Sequence, residues 1–367
     1  MQNQPETQDA LAQVKALLAG TGAVAQKVQL QGTGPIGIDF GLNRVYATQL
    51  YRKGSQLRIA SSASAPYPGA RESILNNTEA LRELTQELLQ NNGFRGNHAV
   101  VSAPLGEPKV LSLTFKSASP QDIPRHVIEL VKERLGGGEQ DWLVDYLPVK
   151  LKVKNSQDTM VMAAAMPRRS SLEFMENLQL AGLYLRAVEI APQALERLLK
   201  QVETPQANCV VIHFGQHKSY LSHFLQGKLT MDREIPVGLE DFVSPVSELL
   251  SVEKSLARNI FHTLGFGESS EMSPLLNQTF DRLKVQIDLM NQYIASQLHG
   301  DGINCIYLTG DIANWSQASE AFSRKLGIQT KILNPFELLP QNANNEIQRH
   351  DQAMYSIAAG LAMRWAS

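Results

Sequence analysis

From Ile36 onward the chain alternates apolar runs with glycine-marked turns. In GPIGIDFGLNRVYATQLYRKGSQLRIASSASAPYP the runs break at Gly41 and Gly54, which predicts three antiparallel strands joined by tight turns. The period then changes: TEALRELTQELLQNNG sets Leu81, Leu84 and Leu88 on one stripe and closes on glycine, the pattern of an amphipathic helix with a C-terminal stop. The opening pattern returns in the second half as NCVVIHFGQHKSYLSHFLQGKLTMDREIPVG. In both copies a strand ends in Phe-Gly (Phe40-Gly41, Phe214-Gly215), a polar turn follows, a second strand runs to Gly54 or Gly227, and a third begins. Two copies of one strand-turn-strand-turn-strand unit, each followed by helices, predict two related α/β lobes facing each other; a solenoid would need three or more short repeats.

Between the copies lies a stretch belonging to neither. VLSLTF, then SPQDIPRHVIELVKERLGGG with Ser119 as N-cap and Pro120 in the first turn, then WLVDYLPVKLKV, TMVMAAAM and a helix over 168–181 read as a small inserted α/β subdomain. After the second copy the pattern predicts helices over 240–262 and 274–299, the strand CIYLTG, a helix over 314–326, the strand KILNPF and a final helix over 352–365. The expected organisation is a polar lead (1–33), a first lobe (34–105 and 182–203, with 345–367 packing back on it), an insert (106–181) and a second lobe (204–344). Within the lead, Leu11, Val14, Leu17 and Leu18 share a face of the stretch 10–18, which reads as a docking helix or a frayed end.

Length and charge narrow the role. At 367 residues a core divided between two lobes is expected. With 34 basic against 36 acidic side chains, nothing favours a nucleic-acid partner. The N-terminus has no basic region followed by an apolar core, and no segment reaches the roughly 20 apolar residues of a spanning helix. A cytoplasmic protein without direct membrane insertion is expected. Cys209 and Cys305 each open an apolar run and read as reduced core residues.

Candidate chemistry is confined to the turns. A strand ending in Asp-x-Gly before a hairpin puts a carboxylate beside several backbone N–H groups, which can cradle a phosphate while the carboxylate holds a hydrated metal. In IGIDFGLNR these are Asp39, Gly41, Leu42 and Asn43. Alone this is an ordinary turn; the second copy and IYLTGD, where Gly310 lies between strand and helix, add weight. His213, His217 and His223 surround a strand turn, where side chains alternate faces and do not converge on a metal. Glu240-Asp241 and Asp281-Arg282 read as solvated helix faces, and Trp142 and Tyr146 as neighbours on the packed side of a strand. The sequence has no GxxxxGK[ST], no GxGxxG after a strand and no GxSxG, so P-loop, dinucleotide and nucleophile-elbow readings lack their minimum residues.

Four segments in order, IGIDFGLNRVYATQL, VVIHFGQHKSYLSHFLQGKLTMDREIPVG, IYLTGDIANWSQASEAFSRKLGIQTKILNPF and MYSIAAGLAMR, resemble the actin, sugar-kinase and Hsp70 ATPase superfamily, and specifically the PilM family of pilus-assembly proteins. DYLPV, VMAAAM and AGLYLRAVEIAPQAL extend the resemblance through the insert, from about Ile36 to Arg364. It implies an α/β actin-like two-lobe fold with duplicated sheet and helix cores, a small inserted α/β subdomain and a nucleotide cleft. It also implies a cytoplasmic scaffold at the inner-membrane face that binds the cytoplasmic tail of PilN, links to the motor ATPases of the pilus and forms homo-oligomers.

The implied nucleotide residues are Asp39, Gly41, Leu42, Asn43, Gly215, Gln216, Lys218, Gly310 and Asp311, with ATP and magnesium as cofactor and no catalytic residue. Departures from the family pattern point to a degenerate site. His213 stands for an acidic residue, Gln216, His217, Lys218 and Ser219 for a threonine-rich turn, Tyr46 for a lysine, and Gly310-Asp311 and Gly238-Leu239 for Gly-Gly pairs. Magnesium would keep only Asp39 as a carboxylate ligand, while Lys218 could meet phosphate directly. Removing one charge-assisted hydrogen bond to a nucleotide weakens its binding by about 1.5–3 kcal/mol. Two other readings share the superfamily: a small-molecule kinase, which needs a cleft acid or base and full magnesium ligation, and an FtsA-like cytoskeletal protein, whose usual terminal membrane helix has no counterpart in GLAMRWAS.

Overall fold

The computed structural model describes residues 32–104, 106–116, 119, 121–136, 141–149, 158–202, 207–266, 273–298, 302–341 and 347–366. The amphipathic stretch 10–18, Pro120 and residues 203–206 fall outside them.

The first unit opens with β1 (Thr33–Phe40), β2 (Arg44–Lys53) and β3 (Gln56–Pro66), continues through helices α1 (Arg71–Leu75) and α2 (Thr78–Leu89), and adds β4 (His98–Ser102). The insert follows as β5 (Lys109–Lys116), α3 (Ile123–Leu135), β6 (Trp142–Pro148) and β7 (Asp158–Pro167). The chain returns through α4 (Arg168–Leu180), β8 (Tyr184–Glu189) and α5 (Ala191–Leu199). The second unit comprises β9 (Asn208–Phe214), β10 (Ser219–Leu225), β11 (Lys228–Ile235), α6 (Glu240–Leu250), α7 (Lys254–Leu264), α8 (Ser273–Gln297), β12 (Cys305–Gly310), α9 (Ala318–Leu326), β13 (Gln329–Ile332) and α10 (Pro335–Leu338). The last helix is α11 (Ser356–Ala362).

Two five-stranded sheets carry the molecule, in the orders β3-β2-β1-β4-β8 and β11-β10-β9-β12-β13. In each, the first three strands pair antiparallel and the central strand continues into a parallel ladder, β1 with β4 and β4 with β8, β9 with β12 and β12 with β13. The copies superpose in register as well as order. Asp39 pairs with Tyr46 and His213 with Tyr220, an offset of 174 in both members (213 − 39 and 220 − 46). Both second strands break their ladder at the same point, Gln49/Leu50 and His223/Phe224. The insert is a three-stranded sheet, β5-β7-β6.

Apolar burial explains the layering. The outer face of the first sheet packs Ile36, Ile38, Val45 and Ala47 against the stripe Leu81, Leu84, Leu88 of α2 and against Phe174 and Leu178 of α4. The insert has its own core, where Val127 and Val131 of α3 meet Val161, Ala163 and Ala165 of β7, with Trp142 and Tyr146 packed on the same side as expected. A third core joins both sheets: Leu50, Ile59 and Val100, α5 and α11 lie in one cluster with Val210, Ile212 and Phe214. Cys209 and Cys305 are buried there as register neighbours on β9 and β12.

Several boundaries differ from the sequence expectation. Helix α3 starts at Ile123, with Pro124 in its first turn, and Ser119 donates to the Asp122 carboxylate instead of capping it. The expected helix 240–262 is two helices, broken at Ser251, whose φ of 53° is left-handed. The expected helix 314–326 begins only at Ala318, after a tight 3₁₀ turn at Asp311–Asn314 and a left-handed Gln317. Asn334 ends the strand expected in KILNPF by capping α10. The final helical stretch is α only over Ser356–Ala362, with 3₁₀ turns on both sides.

Candidate functional site at the junction of the two hairpins

The β1–β2 and β9–β10 hairpins bring their glycine turns together. A Cβ built on Gly215 would lie 2.6 Å from Leu42 Cδ1, so the leucine of the first turn rests on the glycine of the second. Gly215 must be glycine for a second reason, because the same Cβ would lie 2.6 Å from the carbonyl oxygen of Lys218. Asn43 is exposed at the first tip.

Asp39 sits beneath this contact, 1% exposed. It accepts a hydrogen bond from Ser102 Oγ at 2.8 Å, and the same Oγ accepts from the Phe40 N–H at 2.9 Å. Burial pushes its carboxyl up to about 6, a rise opposed by the Ser102 hydrogen bond and by Arg71. Tyr67 and Arg71 donate to the carbonyls of Gly41 and Phe40 at 3.0 and 3.2 Å, closing the first turn from the side of its own lobe. At the equivalent position of the second lobe, His213 has its Nδ1 buried without a partner, and burial pushes its pKa down to about 4. The pseudo-symmetric pair is thus one protonatable carboxyl and one neutral imidazole, a donor set with little affinity for magnesium.

The second turn is engaged internally. Leu239 and Glu240 at the start of α6 donate their N–H groups to the carbonyls of Gly215 and Gln216 at 3.0 and 2.9 Å, so that helix end does not offer these donors to an anion. Gly238 lies against this turn, with a built Cβ 2.5 Å from the His217 carbonyl carbon. Gln216 donates to Glu240, which also binds Lys254 at 2.6 Å and Arg258 at 2.9 Å. Asp241 accepts from the Gly238 N–H and pairs with Arg282 at 2.6 Å. Glu240 and Asp241 are therefore half-buried links between turn and helices, where a solvated face was expected. Lys218, expected to meet phosphate, pairs with Glu234 at 2.6 Å. His223 is held by Thr230 and Asn208 in the sheet, away from His217 at the tip.

Gly310 adopts φ 81° and approaches the Phe214 backbone so closely that a Cβ would lie 2.5 Å from its carbonyl oxygen. Beyond it a cleft of about 630 Å³ opens, lined by Arg44, Tyr46 and Ser64 of the first sheet and by Asp311, Asp351 and Tyr355. Of the nine nucleotide candidates only Asp311 lines this cleft.

The sequence matches the family described as Type IV pilus assembly protein PilM over residues 37–366. The chain belongs to the PilM family. Its fold is similar to that of a structure titled "PilM-PilN type IV pilus biogenesis complex", at TM-score 0.72 and 16% identity over 93% of this chain and all of that one. It is also similar to the ethanolamine utilization protein EutJ from Carboxydothermus hydrogenoformans, at TM-score 0.51 and 14% identity over 98% of both chains. The fold is accordingly the actin-like, two-lobed α/β fold with an inserted subdomain.

Within this PilM-family chain, sequence reading found Asp39 and the glycine turns but missed Ser102, Tyr67 and Arg71. Ser102 has no motif; it reaches Asp39 because β4 runs parallel to β1 with Val101 beside Ile38. That partnership follows only from topology. The charged network of Glu240 and Asp241 carried a faint signal, a Glu-Asp pair directly after Gly238-Leu239.

Proposed function

We propose that this PilM-family chain is a scaffold of the type IV pilus inner-membrane assembly that works by binding the cytoplasmic tail of a PilN-like membrane protein, with a nucleotide site too degenerate to drive turnover. Family membership supports the pilus role. The observation that carries the second half is the hairpin junction, where Leu42 fills the approach to Gly215 and the position of the second lobe equivalent to Asp39 is His213 in place of a second carboxylate. The nucleotide candidates in this reading are Asp39, Gly41, Leu42, Asn43, Gly215, Gln216, Lys218, Gly310 and Asp311, serving as a structural seam. The sheet layout supports the division into lobes 34–105 with 182–203, 204–344 and the insert 106–181. No described helix is long and apolar enough to cross a membrane, so placement at the inner-membrane face through the partner is part of the same proposal. The motor ATPases of the pilus and a second copy of the chain are its further proposed partners.

Calorimetric titration of the purified chain with a synthetic PilN tail, and separately with Mg-ATP, tests both halves. Binding of the tail with ATP silent or weak is the expected result. Absence of tail binding at high micromolar concentration removes the adaptor role, and ATP hydrolysis abolished by Asp39→Asn removes the degenerate-site reading.

A further inference from the structure

The cleft beyond Gly310 contains acceptors that nothing in the described protein satisfies. Asp311 is half-buried, and among the described residues its carboxylate makes no hydrogen bond or ion pair. Tyr46 is 8% exposed and its hydroxyl likewise has no partner, although the ring is fixed edge-on against Tyr355 at 5.2 Å between centroids. The Asn314 Oδ1 is buried without a partner in the same wall, while its Nδ2 approaches Asp351 at 3.5 Å. A buried polar group left unmade costs about 1–3 kcal/mol, and the orphaned Asn314 Oδ1, beside two groups that open on the same cleft without a partner among the described residues, marks a place completed by a ligand.

The sign of the charge selects the ligand. Asp311 and Asp351 face a single cation on the lining, Arg44, whose Nη2 is engaged by Ser64 Oγ at 3.1 Å. Arg258 and His262 act on Asp311 through space without bonding to it, and His350 lies 3.6 Å from Asp351. A phosphate would meet two carboxylates here. A donor-rich cation would satisfy both and could lie against the tyrosine pair.

We propose that this cleft binds an organic cation, a guanidinium or primary ammonium group on an extended chain, through Asp311 and Asp351 with the Tyr46 hydroxyl as a further contact. Burial holds the Asp311 carboxyl above its usual range, and a bound cation would restore the ionised form. The site is separate from the tail-binding reading and stands or falls apart from it.

Calorimetry of the full chain with agmatine as probe, and with adenosine and Mg-ATP in parallel, decides the matter. Agmatine should bind, with affinity reduced about ten- to hundredfold in Asp311→Asn and about two- to tenfold in Tyr46→Phe, each variant still unfolding cooperatively. Should Asp311→Asn fail to fold, Tyr46→Phe and Asp351→Asn carry the comparison. No heat from agmatine up to about 5 mM, equal affinity in all variants, or binding of adenosine in place of agmatine overturns the proposal. Tail binding measured on the same variants should stay at the parental value.

Discussion

At the scale of single residues, the informative side chain is Asp39. A carboxyl raised from 3.8 to about 6 by burial favours the folded state while it is protonated, and that contribution is lost as pH rises through about 6. Asp232, half-buried and accepting from Ser222 Oγ at 2.6 Å, is pushed up to about 6 by desolvation and acts in the same direction. His213 and His223 oppose them: burial pulls them down to about 4 and about 3, so they favour the folded state above their ordinary 6.5 and lose that contribution as pH falls. Asp39→Asn isolates one member. Asparagine keeps an acceptor for Ser102 and removes the buried charge, so the variant should be more stable than the parent by about 1–2 kcal/mol at about pH 8, with the gain vanishing at about pH 4. Urea unfolding at both pH values checks this; a loss of stability at high pH would mean that the Asp39 charge is held by the fold. The sequence marked Asp39 through its position before Gly41 but not its protonation, which follows from the burial of its carboxyl in the folded chain and is opposed by Ser102.

At the scale of elements, glycine decides which contacts can form. Helix α11 lies with its backbone against β1 and against α5: a Cβ on Gly37 would meet the Ala358 carbonyl at 2.1 Å, and one on Gly360 the Ala194 carbonyl at 2.1 Å. Neither neighbour is a movable side chain. Gly37→Ala and Gly360→Ala should each cost about 3 kcal/mol or more, whereas Gly54→Ala, at φ 64° with open space around it, should cost only the left-handed strain of about 1–2 kcal/mol. Melting curves of the three variants test the ranking. The hairpin junction permits a finer experiment. Gly215→Ala clashes with both Leu42 and the Lys218 carbonyl, so adding Leu42→Ala should recover part of the loss and leave the remainder; full recovery would show the turn itself to be pliable.

The duplicated strands were legible at this scale because their period and glycine turns repeat in phase. Helix starts were less so. Apolar periodicity runs on through Asp311–Gln317, but the positive φ of Gln317 interrupts it, a feature of tertiary fit rather than of composition. The Ser119-Pro120 pattern promised a cap, yet the chain first makes a turn held by Ser119 and Asp122.

At the scale of the whole molecule, what joins the lobes is apolar and continuous. Leu50, Ile59 and Val100 of the first sheet, Val149, Met160 and Met162 of the insert, α5, α11 and the face of the second sheet form one buried cluster. Polar ties add to it: Tyr293 to Ser112 between α8 and the insert, and Glu196 of α5, which accepts from the Leu229 N–H of β11 at 3.0 Å and pairs with Lys228 at 3.5 Å. Because that cluster is shared by both lobes, heat should unfold the two in one cooperative transition. The same continuity sets the expectation for nucleotide. A ligand that closes two lobes stabilises the folded state by RT ln(1 + [L]/Kd), about 2.7 kcal/mol at a hundredfold excess over Kd, equivalent to several degrees of melting temperature in a protein of this size. Here the lobes are already in contact through Leu42 and Gly215, and Lys218 is bound to Glu234. Mg-ATP at about 1 mM should therefore move the midpoint by less than about 1 °C, while a saturating PilN-like tail should raise it by several degrees. Scanning calorimetry with each ligand separates the outcomes, and a large upward shift with Mg-ATP alone would mean that the hairpin seam opens to admit a triphosphate.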